Sequence, residues 1–216
     1  MPRAAIVSPV RTPVGAFGKS LRDMPVEKLG AIVVKEVLKR SGMEPTLIED
    51  LIFAQSYANS ETPCVGRWIA LEAGLPVTVP GMQLDRRCGG GLQSIVTGAM
   101  MIESGACDVV LAGGIESMSN IEYYTTDMRW GARSRPEDRF GYISGMIETA
   151  ENLARDYLIS REDSDAYAAR SHQRAATAWD QGKFEAETVS VEVPQRKGAP
   201  IIVERDEGIR PDSTVE

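Results

Sequence analysis

Leu84-Asp85-Arg86-Arg87-Cys88-Gly89-Gly90-Gly91-Leu92 joins an extended apolar run, Val77 to Leu84, to a helical pattern that begins at Leu92. A strand, a glycine-rich turn and a helix in succession are the unit from which α/β folds are built. The same arrangement puts one thiol at the first turn of a helix. Partial positive charge and unpaired backbone N–H groups there favour a thiolate, the nucleophilic form. Three readings fit the turn. In one, Cys88 is a buried structural cysteine beside a glycine turn, since cysteine is among the most buried residue types. In the second, the loop cradles an anion, although neither phosphate-loop nor Gly-x-Gly-x-x-Gly spacing is present. In the third, it is a nucleophile elbow carrying a thiol in place of the usual hydroxyl.

The pattern extends on both sides. Residues 4–10 predict a first strand, ended by Arg11-Thr12-Pro13. Pro25 opens a helix that runs through Leu29, Ile32, Val33 and Val37 to Gly42. Leu51 to Ala54 predicts a strand core, and Arg67 to Ala73 a short helix stopped by Gly74 and Pro76. After the cysteine turn, Leu92 to Ser104 predicts a helix with Ile95, Ala99 and Ile102 on one stripe. Asp108 to Ala112 is a continuous apolar strand, as expected where both sheet faces are covered, and Gly113 to Ser119 is a tight loop. Alternating strands and helices imply a mainly parallel sheet covered by helices.

Beyond residue 120 the character changes. Tyr123, Tyr124, Arg129, Trp130, Arg133, Arg135 and Arg139 form an aromatic and basic cluster. Met146 to Tyr157 predicts a helix. Ser160, with Asp163 three residues on, marks the start of another that reaches Gly182. Val189 to Val193 and Ile201 to Val203 read as strands. Asp212 to Glu216 reads as the opening of a further element, so the chain is expected to be an incomplete fragment.

The 216 residues carry a formal net charge of −7, which argues against general attraction to nucleic acid or membrane. No apolar run approaches the roughly 18 residues of a membrane span, and the N-terminus lacks a signal-peptide core. Three cysteines, Cys64, Cys88 and Cys107, are too few and too odd for a disulfide framework and fit a reducing, cytoplasmic setting. No metal-ligand spacing joins them, and His172 is the only histidine. No metal and no resident cofactor are expected.

Five ordered segments resemble the thiolases, the acetyl-CoA C-acyltransferase family. They are Arg11-Thr12-Pro13-x-Gly15-x-Phe17-Gly18, Cys88-Gly89-Gly90-Gly91-Leu92-Gln93 and Gly113-Gly114-x-Glu116-Ser117-Met118-Ser119, followed by Met146-x-x-Thr149-Ala150-Glu151-Asn152 and Arg210-Pro211-Asp212-Ser213-Thr214. The resemblance implies a thiolase-like core with a mainly parallel sheet (residues 1–120, lacking its last strand). It also implies an incomplete α+β loop domain (121–216) and no C-terminal core domain. It implies a transferase of fatty acid metabolism that forms or cleaves 3-ketoacyl-CoA through an acyl-enzyme on Cys88, with acyl-CoA and CoA as partners. A homo-oligomer, dimer or tetramer, is expected through the core. Met146, on the loop-domain segment, reads either as a lining residue of the acyl pocket or as an ordinary core methionine. Arg129, Arg133 and Arg135 read either as contacts to CoA phosphates, where guanidinium forks suit phosphate oxygens, or as a solvated surface paired with Glu137 and Asp138.

Family members are close to twice this length. Their second half carries a catalytic histidine in Gly-His-Pro and a second cysteine in Cys-x-Gly, and neither segment occurs here. His172 is expected on a surface face, and Cys64 and Cys107 are expected to be packing residues. None of the three is expected to be catalytic, and the fragment alone is expected to turn over little or not at all. Three residues depart from the family pattern. Gly90 replaces serine or alanine, which should loosen the turn. Asp85 replaces asparagine, which sets a carboxylate near the thiol unless Arg86 or Arg87 offsets it. Ile147 replaces a glycine. Two other readings remain: a condensing enzyme of ketoacyl-synthase type, which the loop-domain segment disfavours, and a non-catalytic binding or assembly module that keeps the fold.

Overall fold

Pro25 precedes α1 (Val26–Ser41), and Gly42 closes it in the left-handed conformation at φ 64°. The computed structural model describes residues 3–121 and 146–215. They form two compact units, one made of residues 3–121 with Glu185–Glu207, the other of 146–184 with 208–215.

In the first unit the chain runs β1 (Asp50–Ala54), α2 (Val65–Glu72), β2 (Met82–Leu84), α3 (Gly90–Glu103) and β3 (Val110–Gly114). The sheet order is β2-β1-β3 and both pairings are parallel. β1 is central and its last four residues are buried. Side chains alternate along a strand. Leu51 and Phe53 join a core with Val26 and Val34 of α1 and Val65 and Ile69 of α2. On the opposite face Ala54 meets the start of α3. A strand covered on both sides needs an unbroken apolar sequence, and Leu51-Ile52-Phe53-Ala54 is one. Each fully buried large aliphatic here, such as Leu51 and Ile52, contributes about 1.5–3 kcal/mol.

Two expectations change in this unit. Residues 4–10 do not form a strand. They belong to no ladder, Ser8 adopts φ 50°, and Ile6 and Val7 are exposed. Apolar, β-branched composition favours a pleated surface but does not supply a partner, and a left-handed residue interrupts the extended run. The first sheet-like pairing comes later, where Arg11 N–H donates to Glu187 O and Val189 N–H donates to Arg11 O. Residues 4–12 instead line one wall of an apolar cavity of about 430 Å³, with α1, α3 and β3 forming the others. The second change concerns Gly113 and Gly114, which are the last residues of β3, paired with Phe53 and Ala54. Both are glycine for lack of room. A Cβ on Gly113 would lie 3.0 Å from the Phe53 ring, and one on Gly114 would lie 3.2 Å from Gly91 Cα.

β4 (Val191–Val193) and β5 (Ile201–Val203) form an antiparallel hairpin. Val191, Val193 and Val203 bury against Met24 and Leu29. Arg11 pairs with Glu187 at 2.7 Å and with Asp206 at 2.8 Å, which ties both ends of this hairpin to the N-terminal loop. The sequence division at 120/121 and the division by packing therefore differ over residues 185–207, whose valines complete a core with Met24 and Leu29.

The second unit holds α4 (Met146–Asp156) and α5 (Arg161–Asp180). Ser160 caps α5 by accepting from Asp163 N–H at 3.0 Å, as the Ser-x-x-Asp spacing predicts. Trp179 packs on Phe184 at its end, with ring centroids 5.3 Å apart. Among the described residues, no helix is long and apolar enough to cross a membrane, and no group of three acidic, histidine or cysteine side chains has the geometry to hold a metal.

Candidate active site

β2 ends at Leu84, and the chain must reverse there to lay α3 across the sheet. The turn is a short 3-10 segment, Arg87–Gly89, running directly into α3. Cys88 lies in that segment, exposed, at the carboxyl ends of the parallel strands, where open α/β sheets bind ligands. The thiol is therefore neither sealed in the core nor distant from a helix start.

The reversal is strained and braced. Arg87 adopts φ 49°, a left-handed conformation that a non-glycine residue holds only where its surroundings impose it. Its N–H donates to Asp85 Oδ1 at 2.7 Å, and its Nη1 donates to Ser56 O at 2.8 Å and pairs with Asp85 Oδ2 at 3.1 Å. Its guanidinium lies 5.6 Å from the centroid of the Tyr57 ring. On the other side Arg86 Nη1 donates to Gln93 Oε1 at 2.6 Å, which anchors the loop to the first turns of α3. The Asp85 carboxylate is thus matched by Arg87, the offset that its departure from asparagine requires.

Gly90 has a different reason from the one expected. Its backbone is ordinary right-handed helix, φ −59° and ψ −48°, so conformational freedom is not in use. Space is the constraint. A Cβ at 90 would lie 2.7 Å from Ala54 Cβ, closer than methyl groups approach. Glycine therefore lets the first turn of α3 settle onto the end of β1. Gly90→Ala is expected to cost about 1–3 kcal/mol by overpacking, and adding Ala54→Gly is expected to recover most of that loss. Urea unfolding of the two single variants and the double variant gives the coupling; additive losses would contradict the contact.

Glu116 is the residue whose role the sequence did not disclose. It follows β3 as Ser56 and Tyr57 follow β1, so in-register parallel strands bring the two loops face to face. Glu116 Oε2 accepts from Ser56 N–H at 2.9 Å and Tyr57 N–H at 3.2 Å. Among the described residues, Oε1 is buried without a hydrogen-bond partner. Burial pushes the carboxyl above its ordinary range; the N–H groups of Ser56, Tyr57 and Ser117 act in the opposite direction, and the Asp85 charge adds to the rise. The sequence signal was present: a lone carboxylate in a loop of glycine and serine directly after a strand.

The other candidates separate. Met146 begins α4 in the second unit with its side chain exposed. Arg129, Arg133 and Arg135 lie outside the described residues. His172 Nδ1 accepts from Arg210 N–H at 3.2 Å within the second unit. Cys64 is not a packing residue. It is exposed at φ 60°, just before α2, with Sγ 3.1 Å from Gly81 O. Cys107 is half-buried, and burial pushes its thiol up, with Glu49, Asp50 and Asp108 adding to the rise. A raised thiol holds less thiolate near neutral pH, so iodoacetamide is expected to label Cys107 last of the three. Peptide mapping over a time course checks this.

A parallel sheet of this order, with an exposed cysteine on a glycine-rich turn into the crossing helix, defines an α/β core that sets one thiol at a helix start. The family model for the thiolase N-terminal domain matches residues 4–216, and the chain belongs to the thiolase family. It is 37% identical over 227 aligned positions to a probable acetyl-CoA acyltransferase of Staphylococcus aureus strain COL, covering 100% of this chain and 58% of that one. A homologue from strain NCTC 8325 is 36% identical over the same span. The fold superposes on the crystal structure of the Bacillus anthracis acetyl-CoA acetyltransferase with a TM-score of 0.86 and 35% identity, covering 97% of this chain and 56% of the other. The chain thus spans a little over half the length of these relatives.

Proposed function

We propose that this chain supplies the nucleophile of a thiolase-type acyltransfer, with Cys88 as the catalytic residue and acyl-CoA as substrate. The supporting observation is the exposed thiol on a strained, doubly anchored turn at the start of α3. The Cys88 thiolate attacks the thioester carbonyl carbon. A new carbon–sulfur bond forms, the bond to CoA breaks, and CoA leaves with the proton that Cys88 gave up. With a 3-ketoacyl-CoA, attack falls on the keto carbon, the adjacent carbon–carbon bond breaks, and the acetyl-CoA carbanion takes up that proton. CoA thiol then removes the acyl group. The backbone N–H of Cys88 is the proposed donor to the oxyanion formed at each attack.

Among the described residues around Cys88, none is free to serve as acid or base for the carbanion: Asp85 is paired with Arg87, and Glu116 holds backbone N–H groups. The 216 residues alone are therefore proposed to accept an acetyl group but to turn over little. Incubation with acetyl-CoA followed by mass spectrometry should find acetylation confined to the Cys88 peptide, with negligible thiolysis of acetoacetyl-CoA. Multiple turnover by the chain alone, or acetylation spread over all three cysteines, would reject the reading.

A further inference from the structure

We propose that Glu116 is a positioning residue for Cys88, acting at a distance through Ser56, Tyr57 and Arg87. The proposal rests on Cys88 being the nucleophile and adds a residue outside its own turn. The path consists of hydrogen bonds with given lengths. Glu116 Oε2 fixes the loop after β1 by accepting from Ser56 and Tyr57 N–H at 2.9 and 3.2 Å. That loop presents Ser56 O to Arg87 Nη1 at 2.8 Å and the Tyr57 ring beneath the same guanidinium at 5.6 Å. Arg87 is bonded to the residue on the other side of the turn, Asp85, and directly precedes Cys88. The left-handed φ of 49° at Arg87 is thus imposed by contacts that start at the end of β3.

The two oxygens of Glu116 divide the possible roles. One accepts both N–H groups; the other is buried and accepts none among the described residues. A clamp that works through acceptance at one oxygen needs a carbonyl-like atom and not a full negative charge. Glutamine retains that atom and alanine removes it. Burying two N–H groups without an acceptor is costly enough to release the loop.

The test uses the 216-residue chain and the iodoacetamide labelling rate of Cys88 divided by that of Cys107, which lies beyond the far end of α3. Glu116→Ala is expected to change this ratio by about tenfold or more, while Glu116→Gln stays within about threefold of the native chain. Arg87→Ala cuts the next link, so adding Glu116→Ala to it should change the ratio no further. A general loss of stability would lower the melting temperature without this non-additivity. The proposal is overturned if folded Glu116→Ala keeps the native ratio, if glutamine and alanine behave alike, or if the two substitutions act additively. Should Glu116→Ala not fold, Glu116→Asp, which draws the acceptor back by one methylene, reads the same coupling: a changed ratio that adding Arg87→Ala to it leaves at the Arg87→Ala value supports the clamp, and a native ratio or additive effects overturn it. The ratio in the native chain bears on the acyl-transfer reading, and its change on substitution bears on the clamp, so the two fail separately.

Discussion

Gly66→Ala is expected to destabilise the first unit by more than about 3 kcal/mol. Gly66 stands in the first turn of α2, which crosses the β1–β2 edge. A Cβ there would fall well inside 3.0 Å of the Met82 carbonyl oxygen and 3.0 Å from that of Leu51. Both atoms are backbone in paired strands, so neither yields without breaking the sheet. The approach is reciprocal, because a Cβ on Gly81 would fall inside 3.0 Å of the backbone of Gly66 and Arg67. No side chain can rotate away, which distinguishes this site from Gly30, where the nearest atoms a Cβ would meet belong to the Ile69 side chain. For a chain of this size the loss corresponds to a melting temperature lower by about 6–12 °C. Gly91→Ala is the matched control, because nothing lies within 4 Å of the added methyl. Circular dichroism melts of the two variants decide the matter: if they melt together, the close approach of α2 to the sheet is not rigid.

The contrast between these glycines marks what the sequence discloses. Its punctuation placed α1 between Pro25 and Gly42, α5 behind Ser160 and the cysteine at the start of α3, because caps and turns are local physics. The parallel sheet was legible from Leu51–Ala54 and Val109–Ala112, whose unbroken apolar runs require cover on both faces. What a glycine is for was not legible. Gly90 and Gly113 look like turn residues in a string and prove to be space left for Ala54 and Phe53, partners far away in sequence. Residues 4–10 failed as a strand for the complementary reason: pairing is a property of two segments, and composition describes one. The position of Cys88 at a helix start is legible because the glycines and the helical pattern stand beside it. The place of Glu116 is not legible in its own segment, because its contacts depend on the register that brings two loops together.

Cys88→Ser is expected to reduce acetyl-enzyme formation by at least about 10³-fold, whereas Cys64→Ser and Cys107→Ser leave it unchanged. The chemical ground is ionisation. A thiol gives appreciable thiolate near neutral pH and a hydroxyl does not, so serine at 88 would need a strong base within reach to compensate. Among the described residues the neighbourhood offers none: the Asp85 carboxylate is engaged by Arg87, Gln93 by Arg86, and Glu116 by the backbone of Ser56 and Tyr57. Serine also fits the turn, since Cys88 is exposed and its replacement removes no packing, so folding is expected to be unchanged. The loss would therefore be chemical and not structural, which a native melting temperature for the variant checks. Mass spectrometry of the acetyl-CoA reaction then gives the nucleophile directly. Acetylation that persists in Cys88→Ser and disappears in Cys64→Ser would move the chemistry to the second exposed thiol, at the start of α2, and leave the strained turn at Arg87 without a catalytic purpose.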